Sequence, residues 1–159
     1  MIRAFLMTLV AAVLMSLSNC ERNEESVVPA DPTKLSGEWK LVEPASAYEV
    51  TLKLEVDPAA QTIAGVTPFK VSGRSSVNQY FALASFGSSA QEGTNPGNGV
   101  SVGVIGATKM AGPPEAMQFE TEYFNNLKAV SRYELTSRNR LRLLYNGSKS
   151  GVLIYEKTK

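Results

Sequence analysis

The chain has 159 residues, with 16 Lys+Arg against 15 Asp+Glu, one cysteine and no histidine. So even a charge balance supplies no field to draw in nucleic acid, and no nucleic-acid partner is expected. The missing imidazole excludes Ser-His-Asp and Cys-His nucleophiles and histidine-built zinc sites, and a single cysteine excludes an intrachain disulfide.

The opening residues, MIRAFLMTLVAAVLMSLSNC, place Arg3 ahead of an uncharged, mostly apolar run from Ala4 to Leu17. This is the layout of a secretory signal peptide over residues 1–19. The run is shorter than the ~20 residues that span a bilayer as a helix. Leu17-Ser18-Asn19-Cys20 resembles a lipobox, which makes Cys20 the expected lipidation site and the lipid the expected link to the membrane. The alternative is ordinary signal-peptidase cleavage guided by Ser16 and Ser18, which leaves an unpaired thiol. Each buried methylene contributes ~0.8 kcal/mol, so several acyl chains anchor the chain for good. Glu21 stands where an Asp retains lipoproteins in the inner membrane, and Glu21, Glu24 and Glu25 resemble acidic surface-export signals. The expected location is therefore the outer membrane, on its periplasmic or surface face. Removing residues 1–19 takes away Arg3 and no acid, leaving 15 cations against 15 anions.

Residues 20–34 are polar, carry Pro29 and Pro32, and read as a flexible tether before a domain at 35–159. From Leu35 the apolar pattern has mainly period two, the signature of half-buried strands. It runs through Trp39 and Leu41; Val50, Leu52, Leu54 and Val56; Phe69 and Val71; Phe81 and Leu83; Val100, Val102 and Val104. The stretch Gly87–Gly99 has four glycines, one proline and no large apolar residue, so it reads as a loop. A tolerated insertion and a partner-contact loop are both open readings of it. Ala116, Phe119, Tyr123 and Leu127 switch to helical spacing, behind Pro113 and Pro114, which predicts one helix over about 114–128. Strands are predicted again at Val130–Leu135, Arg140–Tyr145 and Gly151–Glu156, with an Asn146-Gly147 turn.

Particular residues also match a known pattern. Leu35-Ser36-Gly37-Glu38-Trp39-Lys40-Leu41 resembles the L-x-G-x-W-x-L opening of META domains. Ser72-Gly73 with Val77-Asn78-Gln79-Tyr80-Phe81 is similar to the family's G-x-x-x-C-N-x-Y strand, and Thr108-Lys109-Met110-Ala111 to its T-x-M-A turn. Met117, Phe119, Glu120, Tyr123 and Leu127 follow as its helix, and Tyr133–Leu143 with Leu153–Tyr155 as its closing strands. The resemblance, HslJ-like in kind, implies an α+β, mostly β fold: a strongly bent antiparallel sheet, or a barrel-like one, with one packed helix. It implies a role in envelope stress, secretion or antibiotic tolerance and carries no catalytic mechanism. Many META domains hold a cysteine pair where this chain has Val77 and Gly112.

The remaining acids show no hydrolytic carboxylate motif, and the glycines around Gly97, Gly99 and Gly103 make no phosphate loop. No catalytic residue, metal site or cofactor is assigned, and a non-enzyme is expected. Asn78, Tyr80, Thr108 and Met110 are candidate binding residues because they carry the resemblance; core packing around a buried Asn is the plainer reading. Arg138, Arg140 and Arg142 alternate and would share one face of an extended strand, as an anion-binding stripe or a charged edge strand. Trp39, Phe119, Tyr123 and Phe124 are candidates to line an apolar cavity. These readings lead to a lipid-anchored, non-catalytic interaction or assembly-support module with an envelope protein partner. The rivals are a carrier of a small apolar or amphipathic ligand and, third, an inhibitor of an envelope enzyme. The oligomeric state is left open.

Overall fold

The structure is a computed structural model that describes residues 25–28, 31–61, 63, 65–87 and 98–158. The signal segment 1–19, Cys20, Glu21 and Glu24, and most of the glycine-rich loop (88–97), lie outside the described residues.

Among the described residues there are ten strands: β1 (Val27–Val28), β2 (Gly37–Glu43), β3 (Thr51–Val56), β4 (Val66–Arg74), β5 (Gln79–Gly87), β6 (Gly99–Val102), β7 (Gly106–Ala107), β8 (Val130–Thr136), β9 (Arg140–Asn146) and β10 (Ser150–Lys157). A helix, α1 (Pro114–Lys128), lies between β7 and β8, and a 3-10 turn covers Pro32–Leu35. Strands β2 to β6 pair in chain order, β6 meets β8 at Gly99 and Arg132, β8 to β10 follow, and β10 returns to β2. The result is a closed antiparallel barrel of eight strands, with β7 beside β5 and β1 beside β8. The α+β, mostly β expectation holds, and the choice between bent sheet and barrel falls to the barrel. Closure leaves none of the eight strands as a free edge.

Eight strands enclose a space that side chains can fill. Trp39, Tyr80, Tyr133, Tyr155, Phe69 and Phe86, with Leu35, Leu52, Leu54, Leu127, Leu141 and Leu143, do so here. The L-x-G-x-W opening explains how the barrel is started. Leu35 is fully buried, Gly37 adopts φ +128°, a region L side chains rarely enter, and the Trp39 indole Nε1 donates to the Leu35 carbonyl at 2.8 Å. A second glycine, Gly73, lets β3 and β5 close in, because a Cβ there would lie 2.1 Å from the Thr51 carbonyl oxygen.

Strand β5 reverses the predicted face. Tyr80, Ala82, Ala84 and Phe86 point inward, whereas Phe81 and Leu83 are 64% and 61% exposed. At the middle of the strand the inner positions are the two alanines, Ala82 and Ala84, and the bulkier Phe81 and Leu83 face out. Val104 also leaves the pattern, since β6 ends at Val102 and Val104 is exposed. Helix α1 matches the predicted span and buries Ala116, Glu120, Tyr123 and Leu127 against the barrel. The three closing strands fall within two residues of expectation.

The lead-in is partly fastened down. Val27 and Val28 pair with Thr136 and Leu135, and Ser137 N donates to the Ser26 carbonyl at 2.9 Å. β6 takes β8 only near Arg132, which leaves the Leu135–Thr136 stretch open for β1. Asp31 then caps the 3-10 turn through Thr33 N at 3.0 Å. The segment read as a flexible tether is thus held against the barrel at residues 25–28, and again at Lys34, whose carbonyl accepts from Lys157 Nζ at 3.2 Å.

Candidate functional site

The motif residues converge where the β4–β5 turn, the segment after β7 and α1 meet. Asn78 is buried and uses its side chain in both directions. Its Oδ1 accepts from Thr108 Oγ1 at 2.8 Å and from Met110 N at 2.8 Å, while its Nδ2 donates to Glu120 Oε1 at 2.7 Å and to the Met110 carbonyl at 3.3 Å. Glu120 Oε2 accepts from Asn78 N at 3.0 Å and from the Ser75 hydroxyl. Burial alone raises the Glu120 carboxyl, but donation from Ser75, Asn78 and the Val77 and Asn78 amides together holds it below its ordinary 4.5. A carboxylate so committed is a weak base, and it works as the knot that ties turn, segment and helix together.

Asn78, Thr108 and Met110 are therefore brought together, and the plainer reading accounts for what their polar groups do. Met110 contributes its backbone, with its side chain 61% exposed. Tyr80 belongs to a different cluster. Its hydroxyl donates to the Thr51 carbonyl at 2.9 Å and lies 2.8 Å from the Tyr123 hydroxyl, which lies 3.0 Å from that of Tyr155. With one proton per hydroxyl, Tyr80 committed to Thr51 makes Tyr123 its donor, and Tyr155 the donor to Tyr123. Burial pushes all three phenols well above 10. Glu120 and Ser75 are the site residues that sequence reasoning missed. The signal was present: Glu120 falls on the inward stripe of α1, where a charge needs partners.

Val77 and Gly112, the positions that the resemblance aligns with a cysteine pair, touch. A Cβ on residue 112 would lie 2.5 Å from Val77 Cγ2, so a methyl fills the space on the glycine side. Packing alone joins the two positions here.

The arginine stripe does not form as predicted. Arg138 lies in the turn before β9, followed by Asn139 at φ +57°, and only Arg140 and Arg142 share the strand face. Arg140 pairs with Glu156 at 2.6 Å, its register neighbour on β10, and Arg142 with Glu134 at 2.7 Å, its neighbour on β8. Two of the three guanidiniums are thus matched by cross-strand acids. β9 is also bonded on both sides, so its charges protect no edge.

Of the proposed cavity residues, Trp39 and Tyr123 are core, and Phe119 and Phe124 are half-buried over it. Two open recesses flank this region. One, of ≈ 560 Å³, crosses Thr51, Lys53, Ser72, Arg74, Gln79, Phe81 and Thr108 on the wall. Another, of ≈ 350 Å³, lies between α1 and β10 at Leu41, Phe119, Tyr123 and Leu153. Among the described residues no group of three His, Cys, Asp or Glu side chains is placed to hold a metal, and no helix is long and apolar enough to cross a membrane.

The comparison with curated proteins gives no match. The NMR structure of the protein from Burkholderia xenovorans is similar in fold, with a TM-score of 0.51 at 18% identity over 84% of this chain and 92% of that one. META is not a family of known enzymes. The META domain pattern matches residues 33–158, from the turn ahead of Gly37 and Trp39 to the end of the barrel, and the chain belongs to the META domain family.

Proposed function

We propose that this chain is a lipid-anchored protein of the outer membrane whose META domain serves without catalysis as an interaction or assembly-support module. The observation that carries the non-catalytic part is the commitment of the polar interior: the Asn78 amide and the Glu120 carboxylate are both spent on holding elements together. What remains for a partner is the outer surface, where exposed Phe81 and Leu83 lie on the barrel wall. A carrier reading has to use the recess beside α1, since aromatic and leucine side chains fill the barrel.

The anchor is tested by the intact mass of the processed protein and by fractionation. The expected result is a chain starting at Cys20 with lipid attached, found with outer membranes, and a Cys20→Ser chain released from them. A processed chain with a free thiol overturns the anchor. Turnover of a substrate by the purified protein, lost in a Glu120→Gln variant of unchanged fold, overturns the non-catalytic reading.

A further inference from the structure

The anchoring geometry has a consequence for which side of the barrel meets the membrane. Described chain is fastened to β8 from Glu25 onward: Glu25 bonds the Thr136 hydroxyl and lies 3.8 Å from Arg140, and the Val27–Thr136 pairing follows. Between Cys20 and Glu25 there are five residue steps, about 17 Å at full extension. β8 itself, from Val130 to Thr136, is about 20 Å long and at the tilt of barrel strands rises about 15 Å along the axis, and α1 adds about 10 Å of thickness, so about 25 Å separates the Glu25 end from the outside of the helix. Helix α1, Lys128 and the Gly147–Lys149 turn all sit at the far end of β8 and β9. A lipid on Cys20 therefore keeps the β8–β9 turn near the bilayer and leaves too little chain to bring the helix end down to it.

The near end has the chemistry of a surface that rests on lipid. Arg138, exposed in the β8–β9 turn, makes no ion pair among the described residues, whereas its neighbours Arg140 and Arg142 do. Arg138 lines an open recess of ≈ 510 Å³ with Lys157 and the Arg140–Glu156 ion pair, so it is the guanidinium of this recess left without an acid beside it. Three exposed aliphatics belong to the same end: Val27 at 47%, Val56 at 44% where β3 stops, and Ile63 at 63% in the loop before β4. A guanidinium without an acid partner beside exposed apolar side chains suits the headgroup layer, where Arg138 meets phosphate and the aliphatics reach the acyl boundary.

We infer that the barrel rests on the bilayer by its β8–β9 turn end, with Arg138, Val27, Val56 and Ile63 at the headgroup layer, and that it presents α1 and the Asn78–Glu120 clamp away from the membrane. The inference rests on lipidation of Cys20. It assigns the outward face, around α1 and the recess at Phe119 and Leu153, as the one open to a protein partner.

The test is lysine acetylation read by mass spectrometry on the full processed chain in vesicles of phosphatidylethanolamine and phosphatidylglycerol, with the soluble Cys20→Ser chain as reference. Lys34 and Lys157 mark the near end, and Lys109, Lys128 and Lys149 the far end. The expected result is several-fold slower acetylation of Lys34 and Lys157 on vesicles, with the other three unchanged. Equal protection at both ends, protection of the far end, or protection of neither overturns the docking. An Arg138→Glu chain protected as fully as the parent removes Arg138 from the contact. If the processed chain carries no lipid and fails to float with vesicles, the anchor reading fails on its own. Its single thiol at Cys20 can then be coupled to a maleimide lipid, and the same lysine pattern decides the docking separately.

Discussion

Replacing Glu120 by glutamine is the sharpest test of the clamp. The carboxylate receives Asn78 Nδ2 on one oxygen and Asn78 N with the Ser75 hydroxyl on the other. Glutamine keeps one acceptor and puts an NH2 group in place of the other. If that NH2 faces Asn78 Nδ2, two donors oppose each other, and Asn78 cannot turn over because its Oδ1 is held by Thr108 and Met110 N. If glutamine flips, the NH2 faces the Asn78 amide instead. Losing a hydrogen bond to a charged acceptor costs ~1.5–3 kcal/mol and an orphaned buried donor ~1–3, so the substitution should cost about 3–5 kcal/mol. That is a large part of the ~5–15 kcal/mol that holds a domain folded. Urea unfolding of the soluble Cys20→Ser chain, followed by tryptophan fluorescence from the single Trp39, should show the midpoint falling by about 2 M. A depressed folded value makes this stabilisation present above pH 4.5 and lost as the pH falls through the folded value, so the gap between parent and variant should narrow on acidification. A midpoint shift under about 0.3 M at neutral pH would refute the clamp.

The tyrosine chain predicts an order: Tyr123→Phe strands the Tyr155 proton and should cost ~1–3 kcal/mol in urea unfolding, more than Tyr155→Phe, which removes only the terminal donor. Because burial raises Tyr80, Tyr123 and Tyr155 well above 10, stability should be full below pH 10 and fall as pH rises from there, when unfolded phenols ionise and folded ones do not; a flat alkaline limb of the unfolding curve counts against this. Tyr133 is buried with its hydroxyl unpartnered among the described residues, and burial, then the charge of Asp31, pushes it up to about 12. Tyr133→Phe should therefore leave the unfolding midpoint unchanged or raise it, and a loss above ~1 kcal/mol reveals a missing partner. Gly73→Ala should cost about 3 kcal/mol, the upper end for overpacking, since the new Cβ meets the Thr51 carbonyl at 2.1 Å, and wild-type thermal stability in that variant would show that β3 and β5 do not close in there.

The sequence by itself determined the elements with strong local signals. Helix α1 announced itself through its spacing and the proline pair before it, the closing strands through their alternation, and the opening Leu35–Gly37–Trp39 through a motif whose geometry is local. Those features depend on neighbours within a few residues, so one chain carries them. Tertiary structure decided what depends on distant partners. The inward face of β5 went to Tyr80, Ala82, Ala84 and Phe86, two rings flanking two small residues, while period two alone is silent on which phase faces inward. Arg140 and Arg142 read as a free stripe until closure set Glu156 and Glu134 beside them. Asn78 and Glu120, 42 residues apart, became one unit only when α1 folded back over the β4–β5 turn. Sequence states which groups are available; the closed barrel decides which of them are already taken, and so which surface is left for a partner.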